Sequence, residues 1–131
     1  VSVLLGQGTG GGALALVPAD RILAAQHGWL SPLPPEGASA ILHHDTRHAP
    51  AMAAKQGVRS ADLLAHGIVD RVIPEYPDAA AEPESFCLRV GATLRDELAA
   101  LGNADTPRRL AERAERLDRI GQPDAVLATA G

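Results

Sequence analysis

Five of the chain's 13 glycines fall in one stretch, Gly6-Gln7-Gly8-Thr9-Gly10-Gly11-Gly12, directly after the apolar run Val1–Leu5. Three chemistries are open to such a turn. Gly6, Gly8 and Gly11 spell G-x-G-x-x-G, the pattern that cradles a pyrophosphate at a helix start. Against it, Pro18 comes too early for a crossover helix, and no acidic residue stands near Gln26 to hold a ribose hydroxyl. The glycines can instead serve the fold, by permitting positive φ and close strand–helix packing. The third reading is an oxyanion hole. The backbone N–H groups of Gly11, Gly12 and Ala13 would open a helix, where they have no intrahelical acceptor and where the dipole adds positive charge. Such donors stabilise an enolate or a similar oxyanion without any acid or base side chain.

The remaining reactive side chains are sparse. His44-Asp45-x-x-His48 imitates the H-E-x-x-H zinc pattern, but Asp shortens the base, Pro50 follows closely and no third ligand is evident. No metal site is expected. His27, His43 and His66 read as solvent-facing or hydrogen-bonded. Cys87 is the single cysteine, so no intrachain disulfide and no cysteine zinc site can form, and it reads as a small buried or half-buried filler.

The elements that must position the glycine turn follow from periodicity. Val1–Leu5 reads as a buried strand, Ala13–Val17 as a short helix stopped by Pro18, and Arg21–Ala25 and Gly28–Leu30 as short strands. Pro35 suits the first position of a helix over Glu36–His44. Ala49–Gln56 is a second helix ended by Gly57. Ser60 is expected to cap a third, Ala61–His66, which Gly67 ends. Ile68–Ile73 reads as a strand, 76–83 as a linker, and Glu84–Leu101 as the longest helix. Thr106 and Pro107 open a last helix to Ile120. Its face of Leu110, Ala114, Leu117 and Ile120 is opposed by Arg108, Arg109, Arg113, Arg116 and Arg119, which reads as a solvated, salt-bridged surface helix or else a docking surface for a partner subunit. This divides the chain into 1–75, a linker at 76–83, a helical region at 84–121 and a tail at 122–131.

With 46% hydrophobic residues and a net charge of −4, the chain can build a core and carries no overall basic footprint for nucleic acid. Aromatics make up only 2%, so that core must be aliphatic. No run is long enough to span a bilayer and no signal peptide opens the chain, so a reducing cytoplasm is the default expectation. An opening on Val1 with an apolar run already in progress reads as part of a longer polypeptide.

The ordered elements Gly10–Ala13, Asp20-Arg21-Ile22, Pro35-Glu36 and Gly67-Ile68-Val69-Asp70-Arg71-Val72 resemble the crotonase superfamily. Within it, the chain is similar to the C-terminal half of the carboxyltransferase α subunit of acetyl-CoA carboxylase. Gly11–Ala15 matches its Gly-Gly-Ala-Leu-Ala, and Ser31–Leu42 matches its Ser-Pro-Glu-Gly…Ile-Leu segment with one extra residue. Ala49-Pro50 and Val72–Glu75 match two further motifs. The family's Glu-Gly-Gly-Ser lead-in is only partly kept at Gly8-Thr9-Gly10. The resemblance implies an α/β fold, a crotonase-like ββα superhelix fragment with C-terminal helices. It implies transfer of a carboxyl group from carboxybiotin to acetyl-CoA, giving malonyl-CoA, with biotin carried on a biotin carboxyl carrier protein. A carboxyltransferase β subunit or domain and a homo-oligomer are the implied partners. Gly11, Gly12 and Ala13 would form the backbone oxyanion hole, with Gly8 and Gly10 near biotin. Enoyl-CoA hydratases of the superfamily use two glutamates. Glu36 could match one, but Leu14 stands where the other would be, and Glu36 reads as a first-turn helix carboxylate rather than a base. A non-catalytic assembly module is the alternative reading.

Overall fold

The computed structural model describes residues 1–120. In chain order they form β1 (Ser2–Leu4), β2 (Gln7–Thr9), α1 (Gly10–Leu14), β3 (Ile22–Ala25), β4 (Trp29–Ser31), α2 (Pro35–His43), α3 (Ala49–Gln56), α4 (Ser60–Ala65), β5 (Arg71–Ile73), α5 (Pro83–Gly102) and α6 (Thr106–Arg119). The tail expected at 122–131 lies outside the described residues.

Two small parallel sheets organise the chain. β3 lies between β1 and β5, and β2 pairs with β4. The consecutive strand pairs β1–β2 and β3–β4 therefore each send one strand to each sheet. Parallel strands cannot be joined by a hairpin, so the chain must cross over between partners. α1 makes that crossing here, inside one superhelical turn. β3 is buried along its whole length, which suits its unbroken apolar run Ile22-Leu23-Ala24-Ala25. Alternate residues of β3 enter two different cores. Ile22 and Ala24 pack with Leu4, Leu30, Leu63 and Val69, whereas Leu23 and Ala25 pack with Ile73 and Phe86. The period of two explains why small Ala24 and Ala25 serve here: each faces a close-packed layer and both are fully buried.

Several sequence expectations are corrected. The glycine stretch contains a strand, β2, where a turn was expected. The strand expected over Ile68–Ile73 is only Arg71–Ile73, because Gly67 takes φ +68° and Val69 turns into the core. Ser60 does not cap α4. The cap position is Arg59, and Ser60 Oγ donates to the Gln26 carbonyl oxygen at 2.5 Å, tying α4 to the end of β3. At α6 the cap is Asp105, whose carboxylate accepts from Arg108 N at 3.2 Å; Thr106 is the first helical residue. Cys87 is exposed on α5.

Glu75 is the last residue of the Val72–Glu75 motif that carries the resemblance. It is 6% exposed, yet satisfied: His27 N donates to its Oε1 at 3.0 Å and Ala79 N to its Oε2 at 2.8 Å. Burial pushes its pKa up, but the amides of His27 and Ala79 and the His27 ring at 3.3 Å together outweigh that and hold it below the ordinary value. A carboxyl whose folded pKa is depressed stabilises the fold above the unfolded value of 4.5, and that contribution is lost as pH falls through the folded value. Urea unfolding at neutral and acidic pH is expected to show a steeper acid loss of stability in the wild type than in Glu75→Gln. Equal slopes would remove Glu75 from the account.

Candidate active site

The glycine stretch resolves into glycines with different duties. Gly8 sits in β2 opposite Leu30, and a Cβ there would meet Leu30 Cδ1 at 3.2 Å, the Trp29 carbonyl oxygen at 3.3 Å and Ala13 Cβ at 3.4 Å. Its missing side chain lets β2, β4 and α1 close together. Gly10 takes φ +70°, the left-handed turn that swings the chain from β2 into α1. An L-residue in that region costs roughly 1–2 kcal/mol. Gly10→Ala is therefore expected to lower stability by about that amount, read from a chemical denaturation midpoint.

Gly11 and Gly12 differ from both. Neither has positive φ, and a Cβ on either would meet no atom within 4 Å. Helix propensity disfavours glycine by about 1 kcal/mol per position relative to alanine. Nothing in the described fold therefore calls for glycine at Gly11 or Gly12. Thr9, the residue before α1, is extended and makes no side-chain cap hydrogen bond. Ala13 is half-buried against the core formed around Leu4 and Leu30, which anchors the short helix. The first-turn amides of α1 thus open at the surface of the described segment, with bare Cα atoms around them.

The G-x-G-x-x-G spelling does not produce a dinucleotide turn. Gly8 lies inside β2, so a second strand stands between β1 and the helix. The helix itself spans only five residues. Leu14 is 39% exposed at the last turn of α1, where a hydratase would need a carboxylate. Glu36 lies in the first turn of α2 and is exposed, alongside Trp29 and Arg59 on a cleft of about 460 Å³. A second cavity, of about 400 Å³, lies between Leu14, Val17, Leu63 and the end of α6. Gly11 and Gly12 line neither.

Ser31 and Ser39 are fully buried and hold the segment that carries Glu36. Ser31 Oγ donates to the Leu33 carbonyl oxygen at 2.5 Å, and Ser39 Oγ to that of Asp45 at 2.5 Å. The His44-Asp45-x-x-His48 stretch is a turn rather than a ligand set. The Arg47 guanidinium first, and then the His48 ring at 3.0 Å, hold the Asp45 carboxyl below its usual range. His43 stacks on His48 with ring centroids 4.1 Å apart. No group of three or more His, Cys, Asp or Glu able to hold a metal is present among the described residues.

Known proteins agree with this architecture. Residues 1–121 match the sequence model of a family described as acetyl co-enzyme A carboxylase carboxyltransferase-like. The chain belongs to this family. Over 123 residues it is 62% identical to a probable biotin-dependent acyl-coenzyme A carboxylase beta3 subunit of Mycobacterium tuberculosis, covering 94% of this chain and 25% of that protein. Over 125 residues it is 39% identical to the acetyl-coenzyme A carboxylase carboxyl transferase subunit alpha of Deinococcus radiodurans, covering 92% and 39%. The chain thus spans about a quarter of the mycobacterial relative. A Pseudomonas malonate decarboxylase hetero-dimer superposes with a TM-score of 0.66 at 22% identity, over 89% of this chain and 48% of the matched one. That likeness concerns the fold, which is of the crotonase type.

Proposed function

We propose that this segment supplies one side of an acyl-CoA carboxyltransferase active site, moving a carboxyl group from carboxybiotin to an acyl-CoA. The observation that carries the reading is the pair Gly11 and Gly12 in the first turn of α1: like Gly91 they are not required as glycines by the described fold, but unlike Gly91 they bear helix-start amides with no intrahelical acceptor. Family membership supports the class of reaction. Bare Cα atoms at the start of a helix fit a biotin ureido oxygen, since the oxygen must come within hydrogen-bond distance of backbone amides that a side chain would shield.

Biotin, held on a carrier protein, supplies the carboxyl group. The chemistry carboxybiotin would supply is release of its carboxyl group with negative charge left on the ureido oxygen. The free first-turn amides of Gly11 and Gly12 are the donors we assign to that charge, with Gly8 and Gly10 shaping the turn beside it; Ala13, expected as a third donor, is the fourth residue of α1 and has the N-cap carbonyl oxygen of Thr9 as its acceptor. Their value lies in being fixed in place by the fold before the reaction begins. Gly8 packing and the half-buried Ala13 provide that rigidity. The acyl-CoA α-carbon would give up its proton to the ureido nitrogen that the carboxyl group leaves, and take the carboxyl group in its place. No side chain of this segment is assigned to that step, which we place on a carboxyltransferase β subunit or domain or on a second copy in an oligomer.

The acyl group is left as a class. The mycobacterial relative is named for acyl-coenzyme A and the Deinococcus relative for acetyl-coenzyme A, and the former is the nearer of the two at 62% against 39% identity. Acetyl-CoA, giving malonyl-CoA, is one member of that class. The test is the full-length parent protein mixed with carboxylated biotin carrier and acetyl-, propionyl- or longer acyl-CoA. The expected result is a carboxylated acyl-CoA from at least one of them. No product with any of them, from verified folded components, overturns the proposal.

A further inference from the structure

α6 is amphipathic, but it docks by its arginines. Arg116 is the buried residue of this helix, at 7% exposed, while Leu110, Leu117 and Ile120 remain 46%, 37% and 37% exposed. The expected solvated arginine face is thus turned inward. Arg109, Arg113 and Arg116 recur at i, i+4 and i+7, which places them on one side of the helix. Arg109 Nε and Arg113 Nη1 each lie 3.3 Å from a carboxylate oxygen of Asp20, and Arg116 Nη1 lies 3.0 Å from Asp70 Oδ2. Arg116 also donates to the Ala19 and Asp20 carbonyl oxygens. Asp70 Oδ2 in turn accepts from Ile22 N at 2.7 Å, so the latch ends on the first residue of the central strand.

The same helix closes a cavity. Leu117 and Ile120 form one wall of the 400 Å³ cavity, facing Leu14, Val17, Leu63 and Ile68. α5 offers the contrast, since it docks by burying Phe86 and Leu101.

We propose that α6 is an ionically latched strap over this apolar cavity, which releases as a unit while the sheets and α5 stay folded. Ion pairs that reach solvent are screened by salt, partly buried ones less than exposed ones, whereas apolar burial is not. Arg109 and Arg113 have side chains 28% and 34% exposed, within reach of that screening. Arg116 Nε is buried without a hydrogen-bond partner, which weakens the latch at its deepest point. Segments held this way open at lower free energy than the core and exchange their amides separately.

Hydrogen exchange on the full-length protein tests the strap. Asp20→Asn removes the carboxylate shared by Arg109 and Arg113 and keeps the Asp70–Ile22 bond. In that variant the amides of 108–119 are expected to exchange on the order of tenfold faster, with those of β3, β5 and α5 unchanged. Raising NaCl from about 0.1 M to about 1 M should move the wild type the same way. Unchanged α6 protection under both conditions overturns the strap, as does equal loss of protection in α6 and the sheets. Should Asp20→Asn fail to fold, the salt series on the wild type decides alone.

Discussion

Replacing Gly12 by valine in the full-length protein is expected to cut carboxyl transfer by about 10²–10³-fold while the fold persists. The magnitude is that of losing one preorganised donor to a developing oxyanion. The Gly12 position has ordinary φ, and a Cβ there would meet no atom within 4 Å in the described segment. Valine would instead stand in front of the first-turn amides of α1. Turnover number should fall more than substrate affinity, because the interaction strengthens only as charge develops. Steady-state kinetics with varied acyl-CoA and carboxylated carrier check this. A silent Gly12→Val would leave the assembly-module reading in place.

The second large effect concerns stability alone. Gly28→Ala is expected to cost about 2–3 kcal/mol by overpacking. A Cβ at Gly28 would lie 2.9 Å from the Leu4 carbonyl oxygen and 3.1 Å from that of Ala25. Both atoms are backbone, so neither can rotate away. Gly28 N donates to Ala25 O at 2.9 Å and Gly28 O accepts from Ser60 N at 3.0 Å, which locks the position from both sides. The shift would reach β1, the β3–β4 turn and α4 together. Equilibrium urea unfolding provides the measurement, and a change under about 0.5 kcal/mol would mean that β1 yields more easily than the packing suggests.

Most helices and the sheet-forming runs were legible because their signals are local. Pro35 at a helix start, Gly57 and Gly67 after helix ends, and the apolar run Ile22–Ala25 each act within a few residues. The departures share a cause, which is competition from distant partners. Ser60 has the side chain of a cap, but the Gln26 carbonyl oxygen, 34 residues away, takes its hydroxyl. Gln7–Thr9 is set among too many glycines to read as a strand, yet the β4 ladder pairs it residue for residue. The α6 periodicity separated apolar from charged faces correctly and misjudged which one faces inward. Asp20 and Asp70, 50 residues apart in sequence, form the acidic seat that the arginines take, and no window along the chain brings the two together. Both belong to motifs that carry the family resemblance, Asp20-Arg21-Ile22 and Gly67–Val72. The structure gives those motifs a physical duty: one carboxylate orders the start of β3, and the pair anchors α6. At the candidate site, the sequence could list the glycines but not sort them, since Gly8, Gly10, Gly11 and Gly12 differ only in φ and in surroundings.

The central claim is that Gly11 and Gly12 are glycines for a ligand rather than for the fold. It is tested most directly by pairing thermal unfolding with carboxyl-transfer rate in Gly11→Ala, Gly12→Ala and the distant helical control Gly91→Ala, whose Cβ would also meet open space. The account predicts unfolding temperatures at or above wild type for all three, with turnover lost in the first two and kept in the control. Destabilised Gly11→Ala and Gly12→Ala proteins, or stable ones with undiminished turnover, would contradict it.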